Sequence, residues 1–142
     1  MLTEKDEEII DNLSMPKHYS KNCLALFDFT PDNVFLRRGQ VKFVDPKAIA
    51  MGIPILDLSA FAGCARDVYN LPESETGYGL IKSYCLNELA SKLSLSLSEA
   101  EAVWNFGRGI QFILGAAFRA DQDTQKTRTY LDRSLDYFRR LK

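Results

Sequence analysis

The spacing of apolar side chains in the larger, later part of this chain limits it to a mainly helical fold. From about residue 58 onward, apolar residues recur every three or four positions, which is the period of an amphipathic helix. Helices are predicted at about residues 58–70, 76–93, 98–120 and 124–141, after a shorter one at 3–13. Little chain remains for strands, so the predicted fold class is mainly α, an α+β fold with a small β element packed on about five helices.

The longest predicted helix, 98–120, carries the strongest packing signals. Ser98 and Glu101 have the spacing of a capping box at its start. Three glycines interrupt it, and because each costs about 1 kcal/mol against alanine, they indicate close contact with a neighbouring helix. The side chains of this helix that we expect in the core are Val103, Trp104, Phe106, Ile110, Phe112, Ile113, Leu114, Ala117 and Phe118.

Two short apolar runs ahead of the long helices predict a β-hairpin. Residues 34–36 and 41–44 flank a polar segment whose Gly39 suits the positive φ of a tight turn. Another apolar run, 23–27, precedes the hairpin, and a predicted loop containing Gly52 follows it.

Composition and charge exclude several classes of function. The 142 residues are 46% apolar and 26% charged, which suits one globular domain, and a net charge of −1 provides no general attraction for nucleic acid. No apolar run approaches the roughly 18 residues of a membrane span, and no signal peptide is visible. The three cysteines are widely spaced and odd in number, which favours reduced thiols in a cytoplasmic protein. We therefore expect neither nucleic-acid nor membrane partners.

Three oxygen-bearing side chains, Asp28, Asn33 and Asp45, stand at the ends of the predicted short strands. Strand ends are rigidly placed yet reachable by solvent, and such positions often carry chemistry. Phosphoryl transfer from a nucleotide needs hard oxygen ligands for magnesium, and a carboxylate that orients and deprotonates the attacking hydroxyl. Alone, an Asp-x4-Asn pair is more typical of a polar turn, so the surrounding segments decide between the two interpretations.

Those segments form a pattern over residues 28–35 (Asp-Phe-Thr-Pro-Asp-Asn-Val-Phe), 41–46 (Val-Lys-Phe-Val-Asp-Pro) and 52–58 (Gly-Ile-Pro-Ile-Leu-Asp-Leu). The pattern resembles the catalytic segment of the aminoglycoside and choline phosphotransferases, a family of small-molecule kinases. The resemblance implies a catalytic base at Asp28 and magnesium ligands at Asn33 and Asp45. It gives Asp57 a structural role, in which its carboxylate accepts backbone N–H bonds from the catalytic loop. The implied cofactors are Mg²⁺ and ATP, and the implied substrate is a small molecule with a hydroxyl acceptor.

Two departures from the family pattern bear on activity. The family usually carries a His two residues before the catalytic Asp, where this chain has Leu26. The residues before Asp28 show no Gly-rich phosphate loop and no strand lysine with a helical glutamate partner. We therefore expect residues 1–142 to be one domain, a kinase-like C-terminal lobe, present as a fragment of a longer kinase or as a natural remnant.

These features leave two hypotheses for the function. In the first, the chain is the catalytic lobe of an ATP- and magnesium-dependent phosphotransferase, and it is inactive without a nucleotide-clamping lobe. In the second, it is a non-catalytic kinase-derived remnant that serves as a binding or interaction module. Both predict an exposed apolar surface where the other lobe would lie, covered by a second copy or by a partner chain.

Overall fold

The computed structural model describes residues 3–14, 23–25, 30–44, 50–52, 61 and 78–141. Within these ranges the helices are α1 (Glu4–Asp11), α2 (Tyr78–Leu93), α3 (Leu97–Arg119) and α4 (Thr124–Arg139). The strands are β1 (Cys23–Ala25), β2 (Val34–Arg37), β3 (Gln40–Phe43) and β4 (Ala50–Gly52), and a 3-10 turn, Pro31–Asn33, precedes β2. The mainly α class is confirmed, whereas the kinase-like arrangement stays a prediction. The helix predicted from about residue 58 lies, apart from Phe61, outside the described residues.

Side-chain caps fix where α1 and α4 begin. In α1, the Asp6 N–H donates to Thr3 Oγ1 at 3.3 Å, and the Thr3 N–H donates back to Asp6 Oδ2 at 2.9 Å. This capping box satisfies backbone N–H groups that a helix start leaves without partners. In α4, the Lys126 N–H donates to Asp123 Oδ1 at 2.9 Å. Both helices therefore begin within a residue or two of their predicted starts.

The capping box of α3 forms two residues earlier than the sequence analysis predicted. The cap is Ser96 with Glu99: the Glu99 N–H donates to Ser96 Oγ at 3.3 Å, and the Ser96 N–H donates to Glu99 Oε2 at 2.8 Å. The predicted pair, Ser98 and Glu101, has the same spacing, but Glu101 Oε1 accepts a hydrogen bond from Lys82 Nζ of α2 at 3.0 Å. The tertiary contact with α2 therefore selects between two local patterns of equal quality.

The described core is centred on α3, which packs against both α2 and α4. Trp104 is fully buried and Val103 is 2% exposed. Cys85 and Leu89 contribute from α2, and Phe138 contributes from α4. Burial raises the pKa of the Cys85 thiol, so this cysteine is a packing residue with little thiolate character. In the described ranges, every helix is too short or too polar to cross a membrane.

The predicted inner face of α3 is only partly correct. Leu114 and Phe118 are 54% and 76% exposed, and Ala117 is exposed as well, although all were expected in the core. Asn105 and Arg108 are buried instead. Asn105 and Arg108 are buried because both α2 and α4 pack on α3, so its buried surface extends beyond a single apolar stripe.

Close contact between α3 and α4 confirms what the glycines indicated. A Cβ atom added at Gly109 would overlap the ring of Phe138, and one added at Gly115 would lie 2.9 Å from the ring of Tyr130. At the same contact, the buried Ser134 Oγ donates a hydrogen bond to the Gly109 carbonyl at 2.9 Å. Any side chain at Gly109 would therefore force the two helices apart.

The predicted hairpin is confirmed, with an antiparallel register that pairs Arg37 with Gln40 at its tip. The φ angles of Arg38 and Gly39 are 52° and 73°, which is the type I′ turn that suits a two-residue hairpin loop. A second antiparallel pair joins β1 to β4, so Gly52 lies in a strand and not in the predicted loop. That prediction was wrong because the pairing partner of β4 lies far back in the sequence, and local composition does not show it.

Candidate functional site

Of the four residues predicted to form a phosphotransferase site, the structure describes one, Asn33. Asp28, Asp45 and Asp57 lie outside the described residues. Asn33 is the last residue of the 3-10 turn before β2, and it is partly buried. The turn therefore holds the predicted magnesium ligand at the point where the hairpin begins.

Two backbone hydrogen bonds fix Asn33 at the base of the hairpin. The Asn33 N–H donates to the Thr30 carbonyl at 3.0 Å, and the Val44 N–H donates to the Asn33 carbonyl at 3.0 Å. Val44 is covalently bonded to Asp45, the second predicted magnesium ligand. The hairpin thus joins Asn33 to the immediate neighbour of Asp45, although the two residues are well separated in the sequence.

The two pairs of strands are nested within each other along the chain. The outer pair, β1 with β4, ends where Ala25 lies opposite Ala50. The inner pair, β2 with β3, lies between them in the sequence. Asp28 belongs to the connection from β1 to the 3-10 turn, and Asp45 belongs to the connection from β3 to β4. Both predicted carboxylates therefore belong to connections that join the same two strand pairs.

The inner hairpin has one apolar face and one mixed face. Residues that pair directly across an antiparallel ladder share a face, and faces alternate along each strand. The apolar face consists of Val34, Leu36, Val41 and Phe43, and the mixed face consists of Phe35, Arg37, Gln40 and Lys42. Leu36 is 77% exposed and Phe43 is 50% exposed. An exposed apolar surface is expected from the sequence, but not at particular residues. The alternation of apolar and polar side chains within 34–36 and 41–43 is the signal that could have located it.

A cavity of about 670 Å³ opens between α1 and α4. At its edge, Arg139 Nη2 donates to Asp6 Oδ1 at 3.0 Å. The pKa of Asp6 lies below its ordinary value, chiefly because the backbone N–H and then the hydroxyl of Thr3 donate to its carboxylate, and Arg139 adds to the effect. The lining residues are Lys5, Glu8, Ile9, Asn12, Leu13, Ser14, Ala102, Phe138, Arg139 and Leu141. Asn33, the one described residue of the predicted site, is not among the described residues that line the cavity.

The described residues alone do not assemble a metal centre, since those ranges contain no group of three or more His, Cys, Asp or Glu side chains suited to hold an ion. Comparison of the chain with protein-family models, curated proteins and solved structures finds no match. Support for a phosphotransferase site therefore comes from the motif residues and from the way the hairpin joins Asn33 to the neighbour of Asp45.

Proposed function

We propose that this chain is the catalytic lobe of an ATP- and magnesium-dependent phosphotransferase that acts on a hydroxyl group of a small molecule. The observation that carries the proposal is the 3.0 Å hydrogen bond from the Val44 N–H to the Asn33 carbonyl. It supports a shared ion site because Asp45 follows Val44 directly. The nested strand pairs add support, since the connections that contain Asp28 and Asp45 both join the outer strand pair to the inner one.

The proposed ligand set fits magnesium in its chemistry. The carboxylate of Asp45 and the carboxamide oxygen of Asn33 are hard oxygen donors. A site with so few protein ligands leaves positions for water and for nucleotide phosphates, which is how magnesium is usually held in phosphoryl-transfer enzymes. The ion, when bound, would neutralise charge on the phosphate oxygens.

Asp28 is the proposed general base. Its carboxylate accepts a hydrogen bond from the acceptor hydroxyl and takes the proton as the hydroxyl oxygen bonds to the γ-phosphorus of ATP. The bond from that phosphorus to the bridging oxygen breaks at the same time, and ADP leaves. Asp57 would accept backbone N–H bonds that keep the loop around Asp28 in shape. Because Leu26 stands where the family usually has a His, this backbone support is the main means of orienting Asp28 in the proposal.

Calorimetric titration with ATP in the presence and absence of magnesium tests the proposed ion site. We expect Asn33→Ala to weaken magnesium-dependent ATP binding by about tenfold or more, because it removes a ligand and not only an outer contact. Gln40→Ala is the matched control, since it removes a carboxamide at the opposite end of the same hairpin, where we expect no change. Equal affinities in the native chain and Asn33→Ala would count against the proposal.

A non-catalytic interaction module of kinase descent is the second candidate, and the exposed apolar hairpin face favours it. Leu36 and Val41 lie opposite each other on this face and are 77% and 58% exposed. Large exposed apolar groups that share a face suit contact with a partner chain or with a second copy. Under this second candidate, self-association through the apolar face would persist in 1 M salt, and Leu36→Ser with Val41→Ser would reduce it in a sedimentation measurement. Loss of association in that variant, together with no magnesium-dependent ATP binding, would select this candidate.

A further inference from the structure

A stripe of alternating basic and aromatic side chains runs along α4. The stripe consists of Lys126, Tyr130, Arg133, Tyr137 and Arg140, with α4 itself ending at Arg139 and Arg140 as its C-cap. Steps of four and three residues keep these positions on one side of a helix. The three cations are exposed and the two tyrosines are partly buried, so the stripe borders the contact with α3 and faces solvent.

Aromatic rings hold the two arginines of the stripe in place. Arg133 Cζ lies 5.7 Å from the centre of the Phe112 ring, and Arg140 Cζ lies 5.1 Å from the centre of the Tyr137 ring. The Phe112 and Tyr137 rings are themselves stacked, with centres 5.8 Å apart. A guanidinium group that packs over a ring still presents N–H donors at its edge, and its restricted motion lowers the entropy cost of binding an anion. In the part of the chain that the structure describes, neither Arg133 nor Arg140 takes part in a salt bridge.

The outer face of α1 is negatively charged, opposite in sign to the α4 stripe, and its charged residues have a spacing that matches that of the stripe. Glu4, Glu7 and Asp11 are all exposed, and their i, i+3, i+7 spacing places them on one face of the helix. The other side of α1 carries the buried Asp6, which is bonded to Arg139 of α4 in the same chain. Because α1 packs on its own α4 through that side, its acidic face is directed away from the α4 stripe of the same copy.

We propose that the acidic face of α1 from a second copy of this chain docks along the α4 stripe. Glu4 and Asp11 are two helical turns apart, a rise of about 10.5 Å, and the same separation divides Lys126 from Arg133 and Arg133 from Arg140. Two helices packed side by side therefore bring each carboxylate of this pair opposite a cation. This surface is distinct from the apolar hairpin face, and the inference does not depend on the proposed phosphotransferase activity.

Sedimentation velocity at low ionic strength, followed by the same measurement in 1 M salt, tests the docking. We expect Arg133→Glu with Arg140→Glu to weaken self-association by about tenfold or more, because like charges then face each other. Glu4→Lys with Asp11→Lys should do the same from the other side of the contact. Arg128→Glu with Lys42→Glu is the matched control: it makes the same change in net charge at exposed positions off the stripe, and we expect native association.

A charge swap separates this contact from a loss of folding or a general charge effect. A chain that carries all four changes at Glu4, Asp11, Arg133 and Arg140 has the native net charge, with a basic α1 face and an acidic stripe. We expect its self-association at low ionic strength to return to within about threefold of the native value. In 1 M salt, where the Debye length falls to about 3 Å, we expect both this chain and the native chain to lose their self-association. A monomeric native chain at low salt, or a stripe variant that associates as the native chain does, would overturn the proposal. So would association that 1 M salt leaves unchanged, which is the behaviour expected of the apolar hairpin face.

Discussion

Replacing Gly109 by alanine tests the contact between α3 and α4, because two opposing effects then act on the free energy of unfolding. Alanine favours a helix interior over glycine by about 1 kcal/mol. The added Cβ, however, would overlap the ring of Phe138, which is 3% exposed. Overpacking of a well-filled core costs about 1–3 kcal/mol, and a direct overlap with a buried ring belongs near the upper end of that range. We therefore expect a net loss of about 1–2 kcal/mol.

Urea unfolding followed by circular dichroism measures this difference. Gly115→Ala is the matched control, because its Cβ would lie 2.9 Å from the ring of Tyr130, which is only partly buried, whereas Phe138 is buried. We expect that control to be neutral or slightly stabilised. In a Phe138→Leu background, the alanine at Gly109 should cost less than in the native chain, since the two positions are coupled. A gain of about 1 kcal/mol in Gly109→Ala alone, as helix propensity predicts, would refute the close contact.

Two further predictions concern helix starts and acid stability. Ser96→Ala should lower the free energy of unfolding by about 1 kcal/mol, because it removes the cap of α3. Ser98→Ala should change it by less than about 0.5 kcal/mol. Equal losses of stability in the two variants, measured by thermal unfolding, would contradict the observed capping box. Because the pKa of Asp6 is lower in the folded chain, its contribution to stability is fully present above the ordinary carboxyl pKa and is lost as pH falls through the lower folded value. In chemical unfolding below about pH 4, Asp6→Asn should therefore lose stability less steeply with falling pH than the native chain does. Parallel profiles of unfolding free energy against pH would show that Thr3 and Arg139 do not favour the charged form of Asp6.

The hairpin could be predicted from sequence because its signals are local. Two short apolar runs flank a turn whose Gly39 tolerates positive φ, and the structure has this turn at Arg38 and Gly39. The second strand pair was not predictable in the same way, since Ala50–Gly52 is a strand only because Cys23–Ala25 lies beside it. Pairing between distant segments is a tertiary property that local patterns do not carry.

Within α3, the sequence correctly predicted a long buried helix but not all of its contacts. Leu114 and Phe118 were expected inside from their hydrophobicity, yet both are more than half exposed. Arg108 is buried, and its Cζ lies 4.6 Å from the centre of the Phe112 ring, an environment that the charge of an arginine does not suggest. Which faces of a central helix are covered depends on where its neighbours cross it, and the spacing of apolar residues along one helix leaves that undetermined.

At the candidate site, the sequence predicted which residue types would carry phosphoryl transfer and where they stand along the chain. The structure adds the hydrogen bond that joins Asn33 to the neighbour of Asp45. The motif could not have shown this contact, because it depends on the exact register of β2 with β3. The acidic face of α1 and the stripe on α4 were visible as spacing in the sequence, but their significance depends on the side of α1 that packs against its own copy.

The proposed function requires the base of the hairpin to hold magnesium for a bound nucleotide. Calorimetric titration of ATP with magnesium, on the native chain and on Asp45→Ala, tests it most directly. We predict magnesium-dependent ATP binding to the native chain that is lost, or weakened by about tenfold or more, in Asp45→Ala, because the variant removes the proposed carboxylate ligand. ATP binding that does not require magnesium, or that Asp45→Ala leaves unchanged, would contradict the claim.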